Sequence, residues 1–251
     1  MSGHSKWSTI KRQKGVADAK RGQLFTKLSR EITLAVRESG VADPEMNARL
    51  RLAIQKARDQ NMPMDNIDRA IKKASGEGEG VSLVEVVFEG YGVGGVAILM
   101  ETLTDNKNRT LQEIRNVITR GGGSLGESGC VLWLFELKGV IIVEPGEVDA
   151  EEIALLAIDA GAEDVKIENE GYLEIQTKPE ELANVRRLLE DKGLHITSSE
   201  LVHVPETTVE LDEAAALQTL KLIDRLENMD DMQRVFTNAD FSDSVLQQYQ
   251  F

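Results

Sequence analysis

Two different spacings of apolar residues divide the chain. Over the first 75 residues they recur at i, i+3, i+4 and i+7, the signature of helices with one buried face. Between 17 and 37, at about 100° per residue, Leu24, Phe25, Leu28, Ile32, Ala35 and Val36 share one arc, and Gly40 follows as a stop. Lys20, Lys27, Arg30 and Arg37 gather on the far side of that wheel, while Arg21 falls inside the apolar arc. Asp43-Pro44 reads as an N-cap with proline at the first helical position. It would open a second helix carrying Leu50, Ile54 and Ala57 and stopping near Asn61. Asp65 reads as the cap of a third, with Ile67, Ala70, Ile71 and Ala74 on its stripe. Residues 76–80 alternate Gly and Glu and read as a linker.

Beyond the linker the pattern changes to strands separated by helices. Strands are expected over 84–89 and 96–103, around a glycine-laden turn. Thr110-x-x-Glu113 reads as a capping box for a helix bearing Leu111, Ile114, Val117 and Ile118, ended by Gly121-Gly122-Gly123. An apolar strand is expected over 130–135. From Gly139 a second cycle begins: a strand over 140–144, a helix capped by Asp149 that ends before Gly161, and a hairpin of 165–168 with 172–176. A helix from Pro179 to Lys192 and a strand over 196–204 close it. The order β-α-β-β-α-β is that of the split, ferredoxin-like unit. Only a helix (212–228) and a strand (233–237) follow, too little for a domain, so they complete the earlier β-β-α-β set. The expected fold is therefore α+β multidomain: an N-terminal three-helix domain, then two ferredoxin-like α+β domains, one inserted in the other. The boundaries read as 1–79 for the basic arm and helical domain, 81–138 with 206–240 for the discontinuous domain, and 139–205 for the insert. Residues 241–251 read as peripheral.

Charge sharpens this division. The chain holds 29 basic and 43 acidic residues, net −14, yet its opening MSGHSKWSTIKRQKGVADAKRG carries six Lys or Arg and one carboxylate. Residues 1–75 hold 16 basic and 8 acidic side chains, and the remainder 13 and 35, a balance of +8 against −22. Such polarity marks a chain that meets polyanions at one end. The plainer alternative is an ordinary helical domain that happens to be basic. Lys6, Lys11, Arg12 and Lys14 could neutralise phosphates and Trp7 stack on an unpaired base, or the arm could be a tail whose Trp folds back. No stretch approaches the ~20 apolar residues of a membrane span. The start lacks the apolar core of a secretory signal, so a cytoplasmic location is expected. A single cysteine, Cys130, excludes an internal disulfide and a cysteine-based zinc cluster, and its neighbours suggest a buried strand thiol.

Catalytic signals are missing. The loop GYGVGG (90–95) is followed by a strand and not by a helix, which suits a positive-φ hairpin turn better than a nucleotide loop. His195 and His203, eight residues apart on one strand, would lie roughly 26 Å apart and cannot share a metal. Carboxylate pairs such as Asp230-Asp231 sit at helix ends or turns, where dipole and solubility account for them. The segment DNKNRT (105–110) stays open: Asn106, Lys107 and Arg109 before a helix could hold a phosphate, or the loop could be a polar connection. We expect no enzyme activity, cofactor, metal, membrane contact or small-molecule substrate.

Three segments, GHSKWSTIKRQKGVADAKRGQLFTKLSREI, FEGYGVGGVAILMETLTDNKNRT and GGSLGESGCVLWLFELKG, together resemble the YebC family. That family includes bacterial proteins labelled probable transcriptional regulators and the mitochondrial translational activator of cytochrome c oxidase. The resemblance spans nearly the whole chain. It implies the same three-domain architecture, no catalysis and no cofactor. It also implies either of two roles: promoter DNA binding, or a ribosome-associated factor that helps translation through proline runs. The chain departs from the family pattern at Ser8 and Thr9, where Ala-Asn is common, and at Gln13, where Arg or His is frequent. The expected function is a non-enzymatic, nucleic-acid-binding regulator of gene expression that binds DNA. The alternative is a translation factor contacting ribosomal RNA through the arm and relieving stalling. The expected contact residues are Lys6, Trp7, Lys11, Arg12, Lys14, Lys20, Arg21, Lys27 and Arg30, with Asn106, Lys107 and Arg109. A DNA reader would add Asn66, Arg69, Lys72 and Lys73 on the third helix.

Overall fold

A computed structural model describes residues 18–76, 83–146, 148–167 and 171–249. The described chain begins with three helices, α1 (Asp18–Ser39), α2 (Ala48–Asp59) and α3 (Met64–Ser75). Leu28, Ile32, Leu50, Ala57 and Ile67 meet in their shared core, as the helical spacing predicts. Two starts differ from expectation. Residues 44–46 form a turn, and α2 is capped by Asn47, whose Oδ1 accepts from Leu50 N at 3.0 Å. The buried amide of Asn47 also donates to Ala35 O and Val41 O (both 2.9 Å) and to Ser39 Oγ (2.7 Å), so it binds the end of α1 to the start of α2. Asp43 instead accepts from Glu45 N within the turn. Pro63 precedes α3, and Asp65 lies in the helix's first turn without acting as its cap.

The next elements are β1 (Val84–Tyr91), β2 (Ala97–Thr104), α4 (Lys107–Arg120) and β3 (Ser124–Leu125). Gly94 (φ 73°) and Gly95 (φ 77°) make the β1–β2 turn with the positive φ that the sequence required. A long strand, β4 (Phe135–Glu144), follows, then α5 (Ala150–Asp159), β5 (Asp164–Ile167), β6 (Leu173–Thr177), α6 (Leu182–Asp191) and β7 (His195–Pro205). The chain closes with β8 (Val209–Glu210), α7 (Glu213–Glu227), β9 (Met232–Thr237), β10 (Ala239–Asp240) and α8 (Asp243–Gln248). The first sheet has the order β3-β1-β2-β9 and the second β5-β6-β4-β7. The chain therefore leaves the first sheet after β3, builds the second, and returns to add β9 antiparallel to β2. The second sheet has the ferredoxin-like order, with α5 and α6 on one face. The first has its own order, with the β1–β2 hairpin at the centre and β3 and β9 at the edges, and α4 and α7 cover one face.

Three expectations are corrected here. The segment 130–135 is not a strand: 132–134 make a 3₁₀ turn and β4 begins at Phe135. The buried Glu89 carboxylate takes the N–H groups of Val131 and Leu132 that a ladder would have used. Gly139 does not start a strand but lies inside β4, where a Cβ would come within 2.3 Å of Thr177 Oγ1; the glycine marks a close approach. The tail is not peripheral either, since Phe241, Val245 and Leu246 are buried in the first sheet's helical core.

The other face of the first sheet meets the segment leading into the insert and the insert's last strand, with Ala97, Leu99 and Phe236 against Val131, Phe135 and the half-buried Val202 on β7. Charges bracket this contact. Arg234 on β9 donates Nε to Glu101 Oε2 at 2.7 Å, bonds Leu201 O through Nη1, and stands over the Phe236 ring. His203 on β7 lies 3.2 Å from Glu101 Oε1 and edge-on to Phe236. Lys56 on α2 joins Glu31 on α1 (3.1 Å) and Glu200 on β7 (3.5 Å). Helical unit, first sheet and insert thus converge on one ionic junction.

Burial alone would push the Glu101 carboxyl up, but Arg234 and His203 outweigh it and lower it to about 2. A carboxyl depressed in the fold stabilises it fully above the unfolded value, and the contribution fades as pH falls toward 2. The amount at neutral pH is on the order of 3 kcal/mol. Glu101→Gln is expected to lower stability at pH 7, with the gap to the parent narrowing between about pH 4.5 and 2. Chemical denaturation across that range measures it; a pH-independent gap would contradict the assignment.

Candidate nucleic-acid interface

The expected contact residues fall into three groups. Lys6, Trp7, Lys11, Arg12 and Lys14 lie outside the described residues, as does the side chain of Lys20. On α1, Arg21 is exposed, whereas Lys27 and Arg30 are half-buried. Lys27 Nζ donates to Glu227 O at 2.6 Å, and Arg30 Nη1 donates to Asp230 O at 2.9 Å. The cationic side of α1 is therefore where the helical unit meets the turn between α7 and β9. The third group, in the loop before α4, is built into the protein as well. Asn106 caps α4, accepting from Arg109 N at 3.1 Å, while Lys107 is exposed.

Thr110 does not cap α4, contrary to the capping-box reading. It is buried one turn in, because its hydroxyl has a stronger partner: it donates to Asp231 Oδ2 at 2.7 Å. Thr104 donates to the same oxygen at 2.9 Å, and Arg109 Nη2 at 2.7 Å. Arg30 Nη1 reaches Asp231 Oδ1 at 3.3 Å, and Leu103 N donates to the Asp231 carbonyl at 2.8 Å. Asp231 is only 5% exposed, so it is no surface carboxylate of the kind its Asp-Asp context suggested. Burial pushes its carboxyl up, and the bonds from Arg109, Thr110 and Thr104 bring it below the ordinary range. Arg109, held by Asp231 and Asp105, is raised in turn.

Arg30, Asp105, Arg109 and Asp231 line a cleft of about 590 Å³ between α1, α4 and the 228–231 turn. Its two guanidinium groups, Arg30 and Arg109, face Asp105, Asp231 and Glu113. A phosphate entering it would compete with carboxylates already in contact, and the Asn106 N–H is taken by Thr104 Oγ1 at 2.9 Å. With Asp230 also in the lining, two guanidinium groups meet four carboxylates, so the cleft is a net acidic joint and not a site with free cations.

Outward-facing cations are found on α3. Arg69, Lys72 and Lys73 are exposed on the side away from Ile67, Ala70 and Ala74, with Arg69 3.5 Å from Asn66 Oδ1. Asp65 and Asp68 share that exposed surface. Arg51 and Arg58 are exposed on α2, the former donating to Pro44 O. Among the described residues no group of three or more His, Cys, Asp or Glu is placed to hold a metal, and no helix is long and apolar enough to cross a membrane.

Comparison with known proteins places the whole chain. Residues 5–77 match the model of the TACO1/YebC protein N-terminal domain, and residues 83–239 match that of the TACO1/YebC second and third domain. A probable transcriptional regulatory protein of Dehalococcoides mccartyi is 57% identical over 249 residues, covering 99% of this chain and 98% of the relative. One from Persephonella marina is 53% identical over 248 residues, with 98% and 99% covered. The crystal structure of a conserved hypothetical protein from Aquifex aeolicus superposes with a TM-score of 0.83 at 48% identity, covering 92% of this chain and 95% of that one.

Asp231 is the buried centre of the joint and Arg109 its half-exposed partner. Asp231→Ala should therefore cost about 2 kcal/mol, roughly 4–8 °C in Tm, because two buried hydroxyls lose their acceptor. Arg109→Ala should cost less, since Arg109 is half-exposed and Arg30, Thr104 and Thr110 still hold the carboxylate. Thermal melts of the two variants would contradict this if Arg109→Ala proved the more damaging.

Proposed function

Given that the chain belongs to the TACO1/YebC family, we propose that it is a non-enzymatic regulator of gene expression that contacts nucleic acid through its N-terminal end. The observation that carries this reading is the separation of charge. The first 75 residues hold 16 basic and 8 acidic side chains, and the remaining residues 13 and 35. Phosphate backbones attract the first part and repel the second. Within the first part, the arm and the outer side of α3 carry the contact. Lys27, Arg30 and Lys56 work inside the protein, whereas Arg69, Lys72 and Lys73 face solvent and Lys6, Lys11, Arg12 and Lys14 belong to the basic opening of the sequence.

The names of the relatives support duplex DNA as the target, with α3 presenting Asn66, Arg69, Lys72 and Lys73. A second reading, RNA on the ribosome, is favoured by the acidic remainder. A surface of net −22 disfavours wrapping by a duplex and suits an assembly whose proteins are basic. In that setting the arm, with Trp7, contacts ribosomal RNA.

Reversing two arm charges, Lys11→Glu with Arg12→Glu, should weaken nucleic-acid binding more than tenfold. It should also reduce the slope of log K against log salt by about 2. Unchanged affinity would overturn the proposal. Filter binding and ribosome co-sedimentation at physiological salt separate the targets. Promoter duplex bound no more tightly than random duplex would eliminate the DNA reading, and failure to sediment with ribosomes the RNA reading.

A further inference from the structure

The family motif around residue 130 has no part in the function above, yet it is built with care. Its support is Glu89 on β1, only 3% exposed, whose carboxylate accepts three backbone hydrogen bonds. They come from Gly129 N at 2.6 Å, Val131 N at 2.7 Å and Leu132 N at 2.8 Å. Burial would push this carboxyl up, and the three donors hold it below the ordinary range, so it is an anion fixed under the loop. Val131 is buried beneath, between the two sheets. Gly126 packs so closely that a Cβ would meet Cys130 Sγ at 2.3 Å.

What this rigid loop displays is apolar. Trp133 is 70% exposed, and Leu132 and Tyr91 beside it about 40%. The two aromatic rings are oriented through one acceptor, the Cys130 carbonyl. Tyr91 Oη donates to it at 3.0 Å and Trp133 Nε1 at 3.1 Å. The indole N–H is thus already satisfied, and what remains on offer is the ring itself. Holding a large aromatic in water by two layers of hydrogen bonds has no benefit for folding.

The electrostatic surroundings select the partner. The three segments that meet here contain no Lys or Arg from 74 to 106, from 121 to 137, or from 193 to 220. Glu127, Glu136 and Glu206 are all exposed. Glu127 O receives Cys130 N and Glu206 N bonds Leu134 O, which places both at the loop's base. The nearest cation along β4, Lys138, is held by Glu136 at 3.2 Å and Glu163 at 3.4 Å. An exposed aromatic ring on a loop that carries exposed carboxylates and no Lys or Arg of its own repels phosphate and attracts guanidinium, which stacks on indole and pairs with acids.

We infer that the Glu89-supported loop is a docking site for an arginine-rich protein segment, with Trp133 stacking on a guanidinium and Glu127, Glu136 and Glu206 pairing around it. This site is separate from the cationic end of the chain and acts on a different partner.

Trp7 and Trp133 are the two tryptophans, so the full chain carrying Trp7→Phe reports on Trp133 alone. Titration with a short arginine-rich peptide at about 0.15 M salt should change Trp133 emission, and an equally charged lysine peptide should bind several-fold more weakly. By calorimetry, Trp133→Ala should lower affinity for the arginine peptide about tenfold. Trp133→Phe should retain much of it, and Glu136→Gln with Glu206→Gln should weaken binding and flatten its salt dependence. Because Trp133 is exposed, these variants should melt with the parent. Equal binding by Trp133→Ala would mean charge attraction alone and overturn the inference. So would a silent Trp133, or a single-stranded RNA that perturbs Trp133 more than the peptide does.

Discussion

Charges withdrawn from water must be paired, and this requirement decides how the three parts of the molecule sit together. Glu101, Arg234 and Lys56 are largely withdrawn from solvent, and an unpaired charge there would be costly. Their partners come from elsewhere in the chain: Glu31 from α1, Glu200 and the Leu201 carbonyl from β7. An ion network of this kind adds less stability than apolar packing of the same size would. It also ties the units together, because Lys56 reaches Glu200 and Arg234 reaches the Leu201 carbonyl across their boundaries. The Asp231 joint repeats the logic with α1, α4 and the turn before β9. A third tie, Arg186 on α6 to Asp59 at the end of α2, links the helical unit to the insert at 2.8 Å.

This use of cations inside the protein shapes what is left outside. Lys27, Arg30 and Lys56 come from the basic end of the sequence and act as ties, so the basic excess of that end is not all available to a partner. Among the described residues, Arg69, Lys72 and Lys73 on α3 and Arg51 and Arg58 on α2 are exposed. At the other extreme, a stretch of sheet and loop without Lys or Arg displays a fixed tryptophan. A molecule so divided can touch an anionic and a cationic surface at once, the situation of any factor bound to a ribonucleoprotein or to a protein-covered nucleic acid.

Much of this architecture was legible in the sequence because local signals agreed. The helical spacing of Leu28, Ile32 and Leu50, the positive-φ glycines at 94 and 95, and the β-α-β-β-α-β order each found the element they specified. Elements that failed did so where a distant partner outbid a local preference. Thr110 has the sequence of a cap, but Asp231, more than a hundred residues away, captures its hydroxyl. Residues 130–134 have the composition of a strand, but Glu89 takes the N–H groups of Val131 and Leu132. Asp230-Asp231 looks like a solvated pair until the fold encloses its second member. For the candidate interface, composition identified the basic end, but only the fold separated inward cations such as Arg30 from outward ones such as Lys72.

Hydrogen–deuterium exchange on the full chain, with and without nucleic acid, tests the central claim most directly, because it reports on every part of the molecule at once. The account predicts new protection within residues 1–75, in the arm and along α3, with residues 76–251 unchanged on adding duplex DNA or RNA. Protection confined to the acidic sheets, or none anywhere under conditions where binding is saturated, would contradict it.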